Sequence, residues 1–383
     1  MAITRGPLRT LEASGAALPA HGRAHNLALV LKTLHADGAM SRADLSRSLG
    51  LTRVTVSDLV SELLERGHAL ELGQSDEVRP GKPAILVDVN RHGLQIVGLD
   101  LAENQVLRAA VLDLDGTILH RAERSLDNET GEEITRLVLE LATAAVALAT
   151  APLLGIGVGT PGIVNPDGMV LTAPNLGWSN VPLRALLQQH TGLPTLVSND
   201  ADAAVHADYT FGTGSSDMIL VKVGRGVGSG LIVGGRRALG AHSAAGEIGH
   251  VTVGTDGGVP CKCGKTGCLE TWLSVPSLER ALGLAATGSS PAADADAVLQ
   301  TAGERLAIAL APVAAALDLS EVVLSGPIQL LDGILRDSVE QTLRSRMLPQ
   351  NPPLISVRLA AEPQDIVLLG AAVMVLWNQL GVA

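Results

Sequence analysis

The chain has 383 residues, a formal net charge of −11, 42 glycines and almost no aromatic residues (1%). That length allows two or three domains, and the core has to be assembled from Ala, Val, Leu and Ile. The charge argues against a chain that binds nucleic acid over its whole surface, yet it is unevenly placed: residues 1–90 carry 10 basic and 10 acidic side chains, and the remaining 18 basic and 29 acidic residues hold the entire excess. A neutral N-terminal part leaves a DNA-binding module open, because the local field at the contact face decides.

Residues 1–22 contain no continuous apolar core of the kind a secretory leader needs and are expected to form a flexible tail. From Ala24 to Ala36, Leu27, Val30, Leu31 and Leu34 fall at helical spacing, and Asp37-Gly38 ends that helix. Ser41-Arg-Ala-Asp44 is a capping box opening a short second helix through Leu49. After Gly50, Thr52 caps a third helix, Arg53 to Arg66, with Val56, Leu59, Val60, Leu63 and Leu64 on its apolar face and Gly67 as its stop. This is the helix-turn-helix layout.

Two strands follow, Ala69–Leu72 and Ala84–Val89, around a polar tip with Arg79 and Lys82, so the segment 23–90 reads as a winged helix-turn-helix. In that reading Thr52, Arg53, Thr55 and Ser57 meet the major groove. Arg79 and Lys82 enter the adjacent minor groove, where A·T-rich sequence deepens the negative potential. The competing reading is a small helical interaction module; the basic tip favours DNA.

Beyond Leu94 the pattern becomes strand-rich. Strands are expected at Gln95–Leu101, Val106–Leu114 and Gly116–Leu119, a helix at Glu132–Thr150 and a buried strand at Leu154–Val158. A helix at Leu183–His190 leads to a strand at Pro194–Ser198, then Asn199-Asp200 and a helix from Ala201. Strands Met218–Val223 and Gly230–Val233 flank a glycine loop, Gly224 to Gly230. Helices then run to about Leu317, a strand spans Glu321–Ser325, and a last helix covers Ile366–Leu380. The alternation indicates an α/β protein with two lobes. The charge-free run Leu141 to Pro166 is broken by Pro152 and Pro161, so it does not make the ~20-residue apolar helix of a membrane span. The expectation is a soluble, cytoplasmic protein.

Asp113-Leu-Asp115-Gly-Thr117 matches the nucleophile loop of haloacid-dehalogenase phosphatases. The same residues make a hairpin turn at Asp115-Gly116, and no later lysine or acidic pair completes a phosphatase site, so the hairpin is preferred.

All three cysteines, Cys261, Cys263 and Cys268, fall within eight residues, with His250 just upstream. Three thiolates and an imidazole are what a closed, tetrahedral, structural zinc site needs, and an odd cysteine count argues against a disulfide framework.

Several motifs together resemble the ROK family of repressors, open reading frames and sugar kinases. They are Gly226-Val-Gly228-Ser-Gly230, Gly240, Gly246-Glu-Ile-Gly-His250, Cys261-x-Cys263-Gly-x-x-Gly-Cys268-x-Glu270, Thr160-Pro-Gly162, Asn175-Leu-Gly-Trp178 and Asn199-Asp200-Ala-Asp-Ala. With a winged helix in front, the chain resembles the repressor branch, of the xylose and N-acetylglucosamine repressor kind. The resemblance implies an actin-like, ribonuclease-H-like fold over residues 91–383. One lobe would take about 93–200 with 366–380 and the other about 201–365, with a ligand cleft between them, in a homodimer or homotetramer.

The resemblance also implies a sugar site of Asn199, Asp200, Glu247, His250 and Glu270, with Gly162 and Asn175 on loops facing the same cleft. Carboxylates and amides suit sugar hydroxyls through bidentate, charge-assisted hydrogen bonds. Asp200 matches the base that accepts a proton from the hydroxyl being phosphorylated in the kinases. The phosphate loops depart from the kinase pattern. Asp100-Leu-Ala-Glu103-Asn104 lacks the glycines and threonine of the first loop, Gly224-Arg225-Gly226 replaces Gly-Thr-Gly, and Leu324-Ser-Gly-Pro327 places a proline where a donor is wanted. The reading is therefore a zinc-bearing, sugar-responsive repressor with a vestigial base and no kinase activity, its partners being operator DNA and a small sugar. An ATP-dependent sugar kinase that keeps a DNA-binding domain is the alternative.

Overall fold

The computed structural model describes residues 19–74, 84–103, 105–253, 258–283, 295–348 and 355–381. The chain divides into two units, one running to Asn90 and taking in the chain from Asn378, the other being Arg91–Trp377. The sequence reading had kept all of 91–383 in one domain.

In the first unit α1 is Pro19–Asp37, so residues 19–22, read as tail, are already helical. A short strand β1 (Met40–Ser41) leads into α2 (Arg42–Leu49), whose N-cap is Ser41; its hydroxyl accepts from the Asp44 N–H at 3.1 Å. Gly50 then adopts φ +64°, a left-handed turn that a β-carbon disfavours. α3 (Arg53–Glu65) is capped by Thr52 and buries Val56, Leu59, Val60 and Leu63 against Leu27, Val30, Leu31 and Leu34 of α1. β2 (Ala69–Gln74) and β3 (Ile85–Val89) pair antiparallel, and β1 adds to β3 to give the order β1-β3-β2. α2, the turn at Gly50 and α3 form a helix-turn-helix, followed by an antiparallel strand pair. Arg79 and Lys82 lie outside the described residues.

The second unit opens with β4 (Gln95–Asp100), β5 (Val106–Leu112) and β6 (Ile118–Ser125). The β5–β6 turn is the segment that mimics a phosphatase loop. The Asp113 carboxylate accepts from the Asp115 and Thr117 N–H groups at 3.0 and 2.8 Å, so it holds the hairpin closed. The strand expected at Gly116–Leu119 begins two residues later and runs much longer. Next come α4 (Glu132–Ala147), β7 (Leu153–Thr160), the short strands β8 (Ile163–Val164), β9 (Val170–Ala173) and β10 (Trp178–Val181), α5 (Leu183–Thr191), β11 (Thr195–Asn199) and α6 (Asp200–Phe211). The first lobe's sheet has the order β11-β7-β4-β5-β6, and β8 to β10 form a small sheet of their own.

The second lobe is built on β12 (Met218–Val223), β13 (Val227–Val233) and β14 (Arg236–Arg237). β13 starts at Val227, so the glycine loop is only Gly224–Gly226 and Gly228-Ser-Gly230 is strand. Helices α7 (Glu270–Leu273), α8 (Val275–Ala281) and α9 (Ala295–Leu317), strand β15 (Glu321–Ser325), helices α10 (Ile328–Leu331) and α11 (Ile334–Arg346) and strand β16 (Ser356–Leu359) complete it, and helix α12 (Ile366–Leu380) returns to the first sheet, where a β-carbon on Gly98 of β4 or Gly157 of β7 would lie 2.8 or 1.9 Å from its Leu368 or Ala371 carbonyl. The sheet order is β14-β13-β12-β15-β16.

In the second unit, apolar residues of the described chain collect on the two sheets and around α6. α4 and α5 cover the first sheet, α9 and α11 cover the second, and α6 with α12 supplies a cluster in which Ala203, Ala204, Ala207 and Ala371 pack with Met218, Leu220, Ile232 and Met374. At two points there a backbone carbonyl meets glycine. A β-carbon on Gly370 of α12 would lie 1.8 Å from the Ala203 carbonyl, and one on Gly230 of β13 would lie 2.5 Å from that of Ala201. No helix of the described residues is long and apolar enough to cross a membrane.

Candidate functional site

A cleft of about 240 Å³ opens in the second unit, and Asn199, Asp200, Glu247, His250 and Glu270 all line it. Gly162 and Asn175 are also in its wall. Three segments of the chain bring these side chains together. Asn199 ends β11 and caps α6: its Oδ1 accepts from the Ala201 and Asp202 N–H groups at 2.8 and 3.2 Å, while Nδ2 donates to the Gly162 carbonyl at 2.9 Å. That leaves Asn199 one free amide proton for a ligand, with Asp200 in the helix's first turn beside it. Glu247 and His250 sit on a single 3-10 turn, Ile248–His250, entered through Gly246 at φ +93°. A β-carbon at Gly246 would lie 1.9 Å from the Ser229 carbonyl, so only glycine lets this turn press against β13. Glu270 opens α7, and its Oε2 accepts from the Val227 N–H at 3.3 Å.

Two more groups shape the cleft's electrostatics: Lys222, which no sequence motif marks, and Asp100 of the first loop. Lys222, on β12, lines the cleft and pairs with Asp200, Nζ to Oδ2 at 3.1 Å, each side chain only 16% exposed. Asp100, the last residue of β4, is buried, and its carboxyl is pushed up to about 6 by that burial, against the pull of the Lys222 charge. Burial works against the charge of Lys222, but the Asp200 and Asp100 carboxylates outweigh it and raise its pKa above the ordinary lysine value. The pKa of Glu247 is raised too, first by burial, with His250 opposing and Asp200 and Glu270 adding repulsion. The signal for Lys222 was a single charge inside Met-Ile-Leu-Val-Lys-Val, an otherwise buried strand.

The first side of the Gly224–Gly226 loop is spent internally. The Gly224 N–H bonds the Gly226 carbonyl at 3.0 Å. The Val227 N–H meets Glu270, as above, and a β-carbon at Gly224 would come within 3.8 Å of Lys222 Nζ.

His250, Cys261, Cys263 and Cys268 converge beside this cleft, one ligand atom from each lying within 4.8 Å of all the others. Cys261 Sγ is 3.7 Å from His250 Nδ1, and Cys263 Sγ is 3.6 Å from Cys268 Sγ. A tetrahedron with Zn–S bonds of ~2.3 Å and a Zn–N bond of ~2.0 Å has edges of roughly 3.5–3.8 Å, so the donor set fits a metal of that geometry. Without a cation the Cys268 thiol is pushed up to about 12, by burial first and by the neighbouring thiols. Two contacts fasten this cluster: Lys265 Nζ donates to the His250 carbonyl at 2.7 Å, and Cys261 lies 3.9 Å from Glu270 Oε1. His250 and Cys263 line the cleft as well, which makes the cluster part of its wall.

On α3, Thr52 and Thr55 serve the cap. The Thr52 hydroxyl accepts from the Thr55 N–H at 3.1 Å and lies 2.9 Å from the Thr55 hydroxyl. Arg53 is exposed and has no ionic partner among the described residues; Ser57 is half-buried.

The sequence profile of the ROK family matches residues 96–378. A xylose repressor of Caldicellulosiruptor bescii is 36% identical over 264 residues, 67% of this chain and 64% of that protein, so the match spans a little under two thirds of that relative. A glucokinase of Halalkalibacterium halodurans is 30% identical over 311 residues, 73% of this chain and 94% of that one. Among solved structures, a ROK family transcriptional regulator described as a homolog of the E. coli MLC protein superposes with a TM-score of 0.81. It covers 94% of this chain and 98% of its own at 24% identity, a likeness of fold. A ROK family glucokinase from Streptomyces griseus, solved with glucose and AMPPNP, gives a TM-score of 0.63 at 27% identity over 73% of this chain and 98% of its own. The α/β architecture, the lobed sheets and the motifs from Thr160 to Glu270 agree with that match: the chain belongs to the ROK family.

Proposed function

We propose that the protein is a sugar-responsive transcriptional repressor that works in the cytoplasm as a symmetric oligomer on operator DNA. The observation that carries the reading is one chain holding both a helix-turn-helix unit and a cleft whose wall gathers Asp200, Glu247, His250 and Glu270. Carboxylates and an imidazole at one cleft are suited to a ring of hydroxyls. His250 turns Nδ1 toward the cysteines, which leaves Nε2 for a ligand hydroxyl and fixes the tautomer. Zinc, held by His250, Cys261, Cys263 and Cys268, would supply a closed structural cross-link with no open coordination position.

A neutral sugar suits the charge balance better than a nucleotide. Asp200, Glu247 and Glu270 line the cleft, with Asp100 buried near Lys222; of the cations there, Lys222 is committed to Asp200, which leaves Arg225 and Lys262 against the carboxylates. The Gly224 N–H of the glycine loop is bonded to the Gly226 carbonyl and not free for a phosphate. Phosphoryl transfer depends on positioning and charge stabilisation, so this arrangement supports loss of kinase activity. The glucokinase relative favours the second reading, a kinase that retains a DNA-binding domain.

Three measurements on the full-length protein decide. A thermal-shift screen of neutral sugars and sugar phosphates is expected to return a stabilising neutral sugar. Capture of duplexes from a random pool is expected to return a pseudo-palindromic, A·T-rich site whose affinity drops in Arg53→Ala. A coupled assay with ATP and that sugar is expected to show no turnover; turnover abolished by Asp200→Asn would establish the kinase instead.

A further inference from the structure

The exposed face of α3 carries one residue that neither folding nor solubility asks for. Val54 is 72% exposed, next to the cap and one position beyond Arg53. The buried stripe Val56, Leu59, Val60 and Leu63 points to the opposite side of the helix, so Val54 stands at the centre of the outer face. A single exposed apolar residue is ordinary on a protein surface. The company it keeps is what gives this one meaning.

Following the same outer stripe toward the C-terminus, the next residues are Asp58, Ser61 and Glu65, all exposed. Glu62, at its border, is taken up by Arg23 and Arg66. The exposed Asp58 and Glu65 carboxylates repel a phosphate backbone, so the helix approaches DNA by its first turn. In that turn Thr52 and Thr55 bond each other to make the cap. With Ser57 half-buried, Arg53 and Val54 are the exposed side chains left to reach outward. Arg53 supplies charge. Val54 has no hydrogen-bonding atom in its side chain, and the apolar feature a major groove offers is the thymine C5-methyl group.

We propose that Val54 is a sequence-reading residue, packing its methyl groups against the C5-methyl of one thymine in each operator half-site. The inference rests on the DNA-binding reading above and adds the base that this helix position selects. Its side chain is rigid at χ1, so the methyl groups are presented in a fixed direction with little entropy left to lose. The contact is one of shape and apolar burial, so it should survive salt concentrations that weaken the phosphate contacts.

The experiment takes the duplex captured by the full-length protein and replaces its thymines one at a time with deoxyuridine, which deletes only the methyl group. Dissociation constants are measured for the wild type, Val54→Ala and Val54→Thr. Val54 is exposed and Ala is a better helix former, so Val54→Ala is expected to fold and to keep the cap. For the wild type, one thymine per half-site should lose about fourfold in affinity on replacement, the worth of one buried methyl group. That loss should vanish in Val54→Ala and persist in Val54→Thr, which keeps a γ-methyl. Equal sensitivity of wild type and Val54→Ala at every thymine would overturn the inference while leaving DNA binding intact. If no duplex is retained, the DNA-binding reading falls and takes this inference with it.

Discussion

Behind the cleft, Asp202 carries a carboxylate whose Oδ1 is buried and has no hydrogen-bond partner among the described residues. Burial raises its pKa to about 6, against the attraction of Arg237, which stands 3.7 Å away. The folded-state value lies above the ordinary ~3.9 of an unfolded Asp. The folded chain therefore holds a proton that the unfolded chain releases. The stability this confers is complete below about pH 4 and is lost as pH rises through about 6. Asp202→Asn is expected to raise the melting temperature at pH 7.5, by the equivalent of roughly 1–3 kcal/mol, with the gain fading toward pH 4. Thermal melts across that range check it.

Lys222 responds in the opposite sense. Lys222→Met would leave Asp100 and Asp200 without their common cation, at a cost of about 2–4 kcal/mol at neutral pH. The loss is expected to shrink near pH 5, where Asp100 takes up a proton, and melts of wild type and variant at both pH values test this. The acids of the cleft were legible because they sit in spaced motifs. Lys222 was not, since one charge in an apolar strand carries no spacing, and only the fold shows that it meets two carboxylates.

At the scale of the element, the segment from Gly246 to Glu270 has little regular structure to hold it. Its described part contains one 3-10 turn and two isolated bridges, Thr252 with Cys268 and Pro260 with Thr266. Order in such a loop depends on cross-links, so chelation or Cys263→Ser is expected to lower the melting temperature and abolish sugar binding, with zinc restoring the chelated protein alone. Metal content, melts and sugar titrations on the same samples measure it; unchanged sugar affinity in metal-free protein would separate the cluster from the cleft. Long periodic elements such as α3, α4 and α12 could be read from the sequence within a few residues. β8, β10 and β14 could not: strands of two to four residues show no alternation, and their pairing depends on partners distant in sequence. The loop expected at Gly224–Gly230 failed for a related reason. Its glycines looked like a turn, yet the strand expected from Gly230 already begins at Val227 and takes in Gly228.

For the whole molecule, the proposed function requires that sugar and operator influence each other. The factor by which the sugar changes the operator dissociation constant must equal the factor by which the operator changes that of the sugar. Titrations of each ligand with and without the other should return one coupling factor different from unity. A sugar that binds without moving operator affinity would reduce the cleft to a bystander. The two-lobed α/β plan followed from alternating strands and helices, because burying one face of each sheet leaves few arrangements. The choice of sugar was not legible, since it depends on sub-ångström placement of hydroxyl partners.

The contacts around α6 have a mechanical consequence. Interlocking side chains act like gear teeth, and two surfaces joined that way can move only in discrete jumps. Around α6 such teeth are present, Met218, Leu220, Ile232 and Met374 among them, but at two points the Ala201 and Ala203 carbonyls meet bare glycine backbone, Gly230 on one side and Gly370 on another. A side chain at either point would act as a wedge, so Gly230→Ala or Gly370→Ala is expected to prise α6 from its neighbour.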